Sequence, residues 1–378
     1  MKQLPLHSQH AALKAKFGEF ADFNMPLYYT KPLEEHHAVR QDAGVFDISH
    51  MGQFMLAGER AGEMLHYVLS SNVRALNNGQ ALYSLMCRED GGILDDLIIY
   101  RYDAARYRMI VNAATRERDF LWLADLAKQF DVRIDDVTSQ FCLFAVQGPK
   151  ALGKLEGMIG PGPSSMDYFT FMEAQSLGNE IFLARTGYTG EPGLEMAVPV
   201  EKAGDYWHHL VEGLGIPPIG LAARDTLRLE ACLPLYGHEM NLQRHPWESG
   251  LGWSVHMDED ENFIGKKALI AIKGVGFPYR LVGLEMTDRG IPREDYRVLL
   301  NGSEVGRVTS GVLSPTTGKG IALARVRIPN HKTGTPLQVE IRGKGVDAVV
   351  VPRPFYKNPD LRNKKGKSTA PRRIKLFR

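Results

Sequence analysis

Between Ala81 and Phe130 the hydrophobic pattern spells out one supersecondary unit. Ala81–Cys87 reads as a strand, Arg88–Gly92 as a turn, and Ile93–Tyr102 and Tyr107–Asn112 as two further strands. The period then changes, and Thr115–Phe130 predicts an amphipathic helix with Thr115 as N-cap. The unit recurs downstream with little residue identity. Glu180–Arg185 is a strand, Thr186–Gly193 a Gly-rich turn, Leu194–Val198 a strand, and Glu201–Leu214 a helix containing Trp207. A twofold quasi-repeat of a split βαβ kind gives this order. Upstream, 32–43 predicts a helix with Pro32 in its first turn and Gly44 as its stop. Val45–Leu56 reads as a strand and 60–70 as a helix. Pro217-Pro218 breaks the chain before a helix over Ala222–Ala231.

From Tyr279 the texture changes to short alternating runs: Leu281–Glu285, Val298–Leu300, Ile321–Val326, Leu337–Ile341 and Val346–Val351. They are punctuated by Asn301-Gly302, Gly306, Gly311 and Gly318. That spacing predicts an all-β domain of about 75 residues. Beyond Pro354-Phe-Tyr356 the composition turns basic and polar.

A chain of 378 residues holds two or three domains at about 100–200 residues each. A hydrophobic fraction of 44% and a charged fraction of 24% belong to a globular protein and exclude bulk disorder. The net charge of +2 hides an asymmetry. Lys357–Arg378 carries nine Lys/Arg against Asp360 alone, which leaves the first 356 residues at −6. A body of that sign argues against nucleic-acid binding. Cys87, Cys142 and Cys232 are far apart and odd in number, which fits a reducing compartment and no disulfide framework. The opening Met1–His10 has no apolar stretch, and no run of about 18 apolar residues occurs, so neither a secretory signal nor a membrane span is expected.

Several chemistries lack their motifs. There is no HExxH, HxH, GxGxxG or GxSxG. His36-His37 and His208-His209 are adjacent pairs that point apart on a helix and read as solvated surface residues rather than chelates. Gly366-Lys-Ser368 resembles the end of a phosphate loop but lacks the earlier glycine. Neither a metal nor a nucleotide is expected.

Three segments carry candidate chemistry. In Gly91–Tyr100, strand alternation puts Leu94, Asp96, Ile98 and Tyr100 on one face and Ile93, Asp95, Leu97 and Ile99 on the other. Both faces are otherwise apolar, so a carboxylate there is costly unless paired, hydrogen-bonded or functional. The plainer alternative has both aspartates serving the Gly91-Gly92 turn or pairing with arginines. In Arg185–Glu195, Gly187, Gly190 and Gly193 allow sharp turns or close approach, Tyr188 can stack on a flat ligand, and Glu195 is a carboxylate in an apolar strand. The alternative is a hairpin with an exposed glutamate. In Gly220–Glu230, Arg224 and Arg228 lie i,i+4 on one helix face, with Asp225 three before Arg228. They form either an ion-paired face or a clamp for a ligand carboxylate. Together these suit a flat ligand with a donor-rich edge and an anionic end.

Phe46-Asp-Ile-Ser-His-Met-Gly-Gln53, Tyr83-Ser-Leu-Met-Cys87, Gly91-Gly-Ile-Leu-Asp-Asp96, Val111-Asn-Ala-Ala114, Gln147-Gly-Pro-Lys150, Arg185-Thr-Gly-Tyr-Thr-Gly190, Gly220-Leu-Ala-Ala-Arg-Asp225, Arg228-Leu-Glu230, Thr309-Ser-Gly311 and Ser314-Pro-Thr-Thr-Gly318 occur in this order. From Leu4 to Tyr356 the chain closely resembles the aminomethyltransferase (T-protein) family of the glycine cleavage system. The resemblance implies an α+β, three-domain cloverleaf around a central folate channel, with two N-terminal split-βαβ-like domains and a C-terminal β-barrel-like domain. The boundaries expected are 1–52 with 136–240, 53–135 with 241–275, and 276–356, followed by the tail 357–378.

It further implies transfer of a methylene carbon from the aminomethyl-lipoyl H-protein to tetrahydrofolate, with release of ammonia. Tetrahydrofolate would be a co-substrate and the lipoylated H-protein the partner, in the cytoplasm, without metal, nucleotide, membrane or nucleic acid. Asp96 matches the family's central acid beside folate N5, and Glu195 the carboxylate at the pterin edge. Arg224 matches a folate-site arginine. Met51, Tyr83, Val111, Asn112 and Tyr188 match the channel walls, Tyr100 joins them by sharing the face of Asp96, and Arg362 matches a tail arginine. Phe169 stands where relatives often have tyrosine. The basic tail would steer an acidic carrier by long-range attraction. Alternatives are a folate-dependent demethylase of the same fold and a non-enzymatic folate-binding protein of iron–sulfur maintenance. The latter's Lys-Gly-Cys-Tyr-type motif is absent.

Overall fold

The computed structural model describes residues 1–258 and 262–362. Two five-stranded sheets and a closed six-stranded barrel form the framework of the described residues. One sheet runs in the order Phe171–Ser176, Asn179–Ala184, Gly193–Pro199, Phe141–Gln147, Gly44–Asp47. The other runs Gln80–Cys87, Ile93–Arg101, Arg106–Val111, Gly52–Ala57, Arg133–Asp136. Each is a three-strand meander whose third strand pairs with a strand that precedes the meander, with a helix in the connection (Ala61–Val68 in one, Ala151–Ile159 in the other). The quasi-repeat in the hydrophobic pattern is therefore a repeat of topology. A smaller sheet of Lys2–Gln3, Phe23–Tyr28 and Lys16–Phe20 precedes them.

Each large sheet buries one face on its own helices. Phe144, Leu194 and Met196 pack with Tyr206 and Trp207, and Phe54, Leu97 and Met109 pack with Leu65 and Leu123. The remaining faces meet in a shared apolar layer that includes Phe46, Tyr100, Ile110, Ala145, Phe182 and Leu227. This layer joins the two sheets into one body.

Four expectations need correction. The stretch Val45–Leu56 is two strands, Gly44–Asp47 and Gly52–Ala57, in different sheets. Asp47 Oδ1 accepts from Ser49 N at 2.9 Å and Met51 N donates to Ile48 O at 3.0 Å, so the chain turns there and crosses over. Thr115 stands at the N-cap position as expected, but its side chain makes no capping bond; its hydroxyl donates to Asn112 O at 3.1 Å instead. His36 is fully buried, not solvated, because its helix, Pro32–Gln41, is sandwiched between Leu221–Glu230 and the barrel; it bonds Thr226 Oγ1 at 2.8 Å and Thr316 Oγ1 at 3.2 Å. The longest barrel strand, Ser303–Leu313, runs straight through Gly306 and Gly311. A Cβ at Gly306 would lie 2.2 Å from Arg325 O, and one at Gly311 2.6 Å from Pro292 O, so these glycines admit a neighbouring strand and a neighbouring loop rather than making turns.

The barrel comprises Tyr279–Met286, Gly320–Arg327, Ser303–Leu313, Arg297–Leu300, Pro336–Ile341 and Lys344–Val351. Buried ionic clusters hold it to the first sheet's helices. Glu230 accepts from Arg40 Nη2 (2.9 Å), Ser314 Oγ (2.6 Å) and Thr316 Oγ1 (2.7 Å). Burial works against its ionisation, yet His36, Arg40 and Ser314 hold its carboxyl down to about 2. Glu239 joins Arg228 (3.2 Å) to Thr309 and Ser310 of the barrel (2.6 Å each). Both carboxylates have every partner satisfied, which is the condition under which buried charge is tolerated. We propose that the sheets and the barrel are the three domains, with the boundaries drawn from the sequence. The tail beyond Arg362 lies outside the described residues.

Candidate active site

A cavity opens where the two sheets meet the barrel. The strand Ile93–Arg101 supplies its acid. Gly91, at φ +86°, turns the chain into this strand, and a Cβ on Gly92 would lie 2.0 Å from Leu242 O, so the turn needs both glycines. It is Asp90, not Asp95 or Asp96, that accepts from the turn's Gly92 N (3.0 Å). Asp96, Ile98 and Tyr100 then line the cavity on alternate positions. Leu94 breaks the alternation and packs in the second sheet's core, because the pairing register shifts between Met86 and Cys87 just where Leu94 is added.

Asp96 Oδ2 accepts from Tyr83 Oη at 2.9 Å, and Oδ1 accepts from Asn112 Nδ2 at 2.7 Å. No cation among the described residues touches the carboxylate. Burial above all pushes Asp96 up to about 7. Such a group exchanges a proton near neutrality. Burial and the neighbouring Asp96 raise the Tyr83 phenol well above its ordinary value, so it stays a donor. Its ring is stacked on Trp253, with centroids 5.4 Å apart and planes at 23°.

Glu195 enters from the strand Gly193–Pro199, opposite Ala184. It faces the cavity rather than bulk solvent. Thr186 Oγ1 donates to Glu195 Oε2 at 2.6 Å, and burial raises its carboxyl. The tight turn before it exists because Gln147 reaches under it, donating from Nε2 to Thr186 O at 3.2 Å and to Leu194 O at 3.3 Å. A Cβ on Gly187 would meet Gln147 Oε1 at 2.0 Å. Tyr188 projects into the cavity with its hydroxyl on Pro234 O (2.5 Å).

The two arginines of the helix Leu221–Glu230 divide their tasks. Arg228 is spent on structure, paired with Asp225 at 2.8 Å and Glu239 at 3.2 Å. Arg224 lines the cavity with its guanidinium 4.6 Å from the Tyr188 ring centroid. No carboxylate among the described residues forms an ion pair with it. Burial makes that cation harder to hold, so Arg224 is poised for an anion.

Met51, Tyr83, Asp96, Tyr100, Asn112, Tyr188, Glu195 and Arg224 thus share one cavity, as does Phe169. Val111 does not: it is fully buried in the second sheet's core, and only its neighbour Asn112 reaches the cavity. Arg362 ends a short helical turn, Pro359–Arg362, and its side chain lies outside the described residues. Two wall residues have no signal in the hydrophobic pattern. Trp253 comes from a distant loop. His50 is 2% exposed with Nδ1 unpartnered, and burial followed by Arg224 lowers it to about 3. The sequence marks it only as a member of the Phe46–Gln53 motif, beside Met51 in the crossover turn.

Among the described residues, no group of three or more His, Cys, Asp or Glu could hold a metal ion. No described helix is long and apolar enough to cross a membrane. The residues fit an amphipathic planar ligand. Aromatic rings form the walls, Asp96 and Glu195 accept from donors, and Arg224 offers a cation.

Comparison with known proteins gives a consistent set of relatives. Residues 6–259 match the GCVT N-terminal domain, and residues 280–357 match the glycine cleavage T-protein C-terminal barrel domain. An aminomethyltransferase from Desulfitobacterium hafniense (strain Y51) is 42% identical over 360 residues, covering 94% of this chain and 98% of that protein. One from Thermotoga neapolitana is 42% identical over the same length and coverage. The crystal structure of glycine cleavage system aminomethyltransferase T from Bartonella henselae superposes with a TM-score of 0.89 at 35% identity, covering 94% of this chain and 98% of that one.

Proposed function

This chain belongs to the glycine cleavage T-protein family, and from that premise we propose how its cavity carries out aminomethyl transfer. The protein is an aminomethyltransferase of glycine cleavage. Its acceptor in this reading is tetrahydrofolate, its donor the aminomethyl-lipoyl H-protein, its products 5,10-methylenetetrahydrofolate, ammonia and the dihydrolipoyl carrier, and its compartment the cytoplasm. The observation that carries the reading is the convergence of Asp96, Glu195 and Arg224, from three separate segments, on one aromatic-walled cavity.

Bound tetrahydrofolate would supply the nucleophilic nitrogen and accept the one-carbon unit. Asp96 takes a proton and stabilises the positive charge that develops as ammonia leaves. Tyr83 and Asn112 fix its two oxygens, so little reorganisation accompanies that charge change. Glu195 accepts from the donor edge of the pterin, and Arg224 holds an anionic part of the ligand. Tyr188 and the Tyr83–Trp253 stack provide flat apolar walls. Proximity inside a walled cavity supplies much of the acceleration.

The test is ammonia release, measured with lipoylated H-protein and tetrahydrofolate together and with each omitted. Release requiring both supports the reading; release independent of tetrahydrofolate overturns it. Calorimetry on metal-stripped protein tests folate binding separately.

A further inference from the structure

Directly behind Asp96, on the other face of its strand, Asp95 is 0% exposed, and Asp119 at 1% lies in hydrogen-bonding contact with it. Asp119 belongs to the first turn of the helix Arg116–Phe130. Two carboxyl groups in one dry site cannot both ionise without a large penalty. Both oxygens of Asp95 are occupied by one residue: Asn112 Nδ2 donates to Oδ1 at 2.9 Å and Asn112 N donates to Oδ2 at 3.1 Å. Asp119 Oδ2 is fully buried and receives no hydrogen from any donor group. A single proton between the two carboxyl groups satisfies the orphaned oxygen and removes the repulsion.

We propose that Asp95 and Asp119 share one proton, the Asp95 hydroxyl donating to Asp119, and that this pair is a positioning element for Asp96. It acts through Asn112, whose Nδ2 donates both to Asp95 Oδ1 and to Asp96 Oδ1 at 2.7 Å. It also keeps the carboxyl adjacent to Asp96 neutral. The surroundings agree. Arg118 brings Nε to 3.5 Å from Asp119 Oδ1 while its Nη2 donates to Leu94 O and, at 3.2 Å, to Tyr236 Oη. Thr115, Asn112 and Tyr236 complete the polar ring. One cation therefore faces a pair that retains one negative charge. Burial and Asp119 push Asp95 well up, and burial pushes Asp119 to about 6. The proposal rests on the reading of Asp96 as the group at the reacting centre.

Asp119→Asn puts an N–H donor where Asp95 now needs an acceptor. Asp95 then ionises beside Asp96, and the acid limb of the kcat profile moves up by about one pH unit. Asp95→Asn keeps a neutral donor in place and leaves the limb where it is. The double substitution brings the limb back. A residue that merely packs the helix would give equal effects or none. Infrared spectra of the protein labelled with 13C-aspartate, free of substrates, supply the second readout. At pH 8.5 a protonated-carboxyl band persists in the wild type and is lost in Asp95→Asn. Absence of that band in the wild type, or an Asp119→Asn variant whose Asp96 titration stays put, overturns the proposal. A persistent band with a shifted Asp96 titration but an unmoved kcat limb upholds the pair and overturns the catalytic reading of Asp96. The wild-type spectrum decides the proton even if a variant fails to fold.

Discussion

Replacing Asp96 by asparagine separates catalysis from stability in opposite directions. The amide is nearly isosteric. Its oxygen can accept from Asn112 Nδ2, now at 2.7 Å, and its nitrogen can donate to the Tyr83 hydroxyl, now at 2.9 Å, once that O–H rotates. The fold should therefore persist, while a proton acceptor and a negative charge disappear from the reacting centre. General base action is worth about 10²–10⁴, so kcat for ammonia release should fall roughly 10³-fold, with the folate Kd changing far less. Stability moves the other way. The carboxyl rises from 3.8 to about 7 on folding, so it favours the folded state fully below pH 3.8. That contribution is lost as pH rises through about 7. The interval corresponds to about 4 kcal/mol. Asp96 faces the channel and is only partly buried, so screening brings this to roughly 2 kcal/mol. Denaturant unfolding at pH 8.5 should show Asp96→Asn stabilised by about that amount, with the advantage gone at pH 4 or below. A variant that keeps more than a tenth of wild-type kcat, or one that is less stable than wild type at pH 8.5, refutes this account.

Glu195→Ala should weaken tetrahydrofolate binding about 10–100-fold by calorimetry with kcat within a few-fold, since a group at a remote ligand edge acts in ground and transition state alike. Arg224→Ala should reduce affinity for the folate's anionic part, checked by comparing mono- and polyglutamate forms for loss of discrimination. Glu230→Ala leaves Arg40 and His36 facing a void and should destabilise the chain by about 3–5 kcal/mol in chemical denaturation. In the wild type, the stability contributed by Glu230 is present above the ordinary value of 4.5 and is lost as pH falls through about 2, which acid unfolding of wild type against Glu230→Gln can read. Cutting the chain after Asn363 removes most of the basic tail. It should raise the apparent KM for the carrier protein at low salt only, since the Debye length at 0.1 M is about 10 Å.

What the sequence determined by itself was local and periodic. Two-residue alternation located the strands on both sides of Gly91-Gly92 and separated Asp96 from Asp95, because successive side chains of a strand must face opposite ways. The split βαβ rhythm exposed the duplicated topology, and the turn chemistry of the C-terminal third announced an all-β domain. The ordered motifs from Phe46 to Gly318 were enough to read the family. Decisions that depend on meetings between distant segments were not legible. Val45–Leu56 looked like one strand because its pattern carries no mark of the point where the chain leaves one sheet for the other. Ser303–Leu313 looked broken because a glycine that admits a neighbouring backbone has the same letter as one that turns. His36 looked exposed because its own helix does not reveal that the barrel covers it. Arg224 and Arg228 share one helix face by spacing; Asp225 favours a pair with Arg228, and the arrival of Glu239 from a later loop commits Arg228 to structure and leaves Arg224 to the cavity. Val111 alternates correctly, yet its side chain falls on the core side of the strand. Burial, partner and charge state belong to the assembled fold, since each is set by groups that sequence distance keeps apart until the sheets and barrel close around the channel.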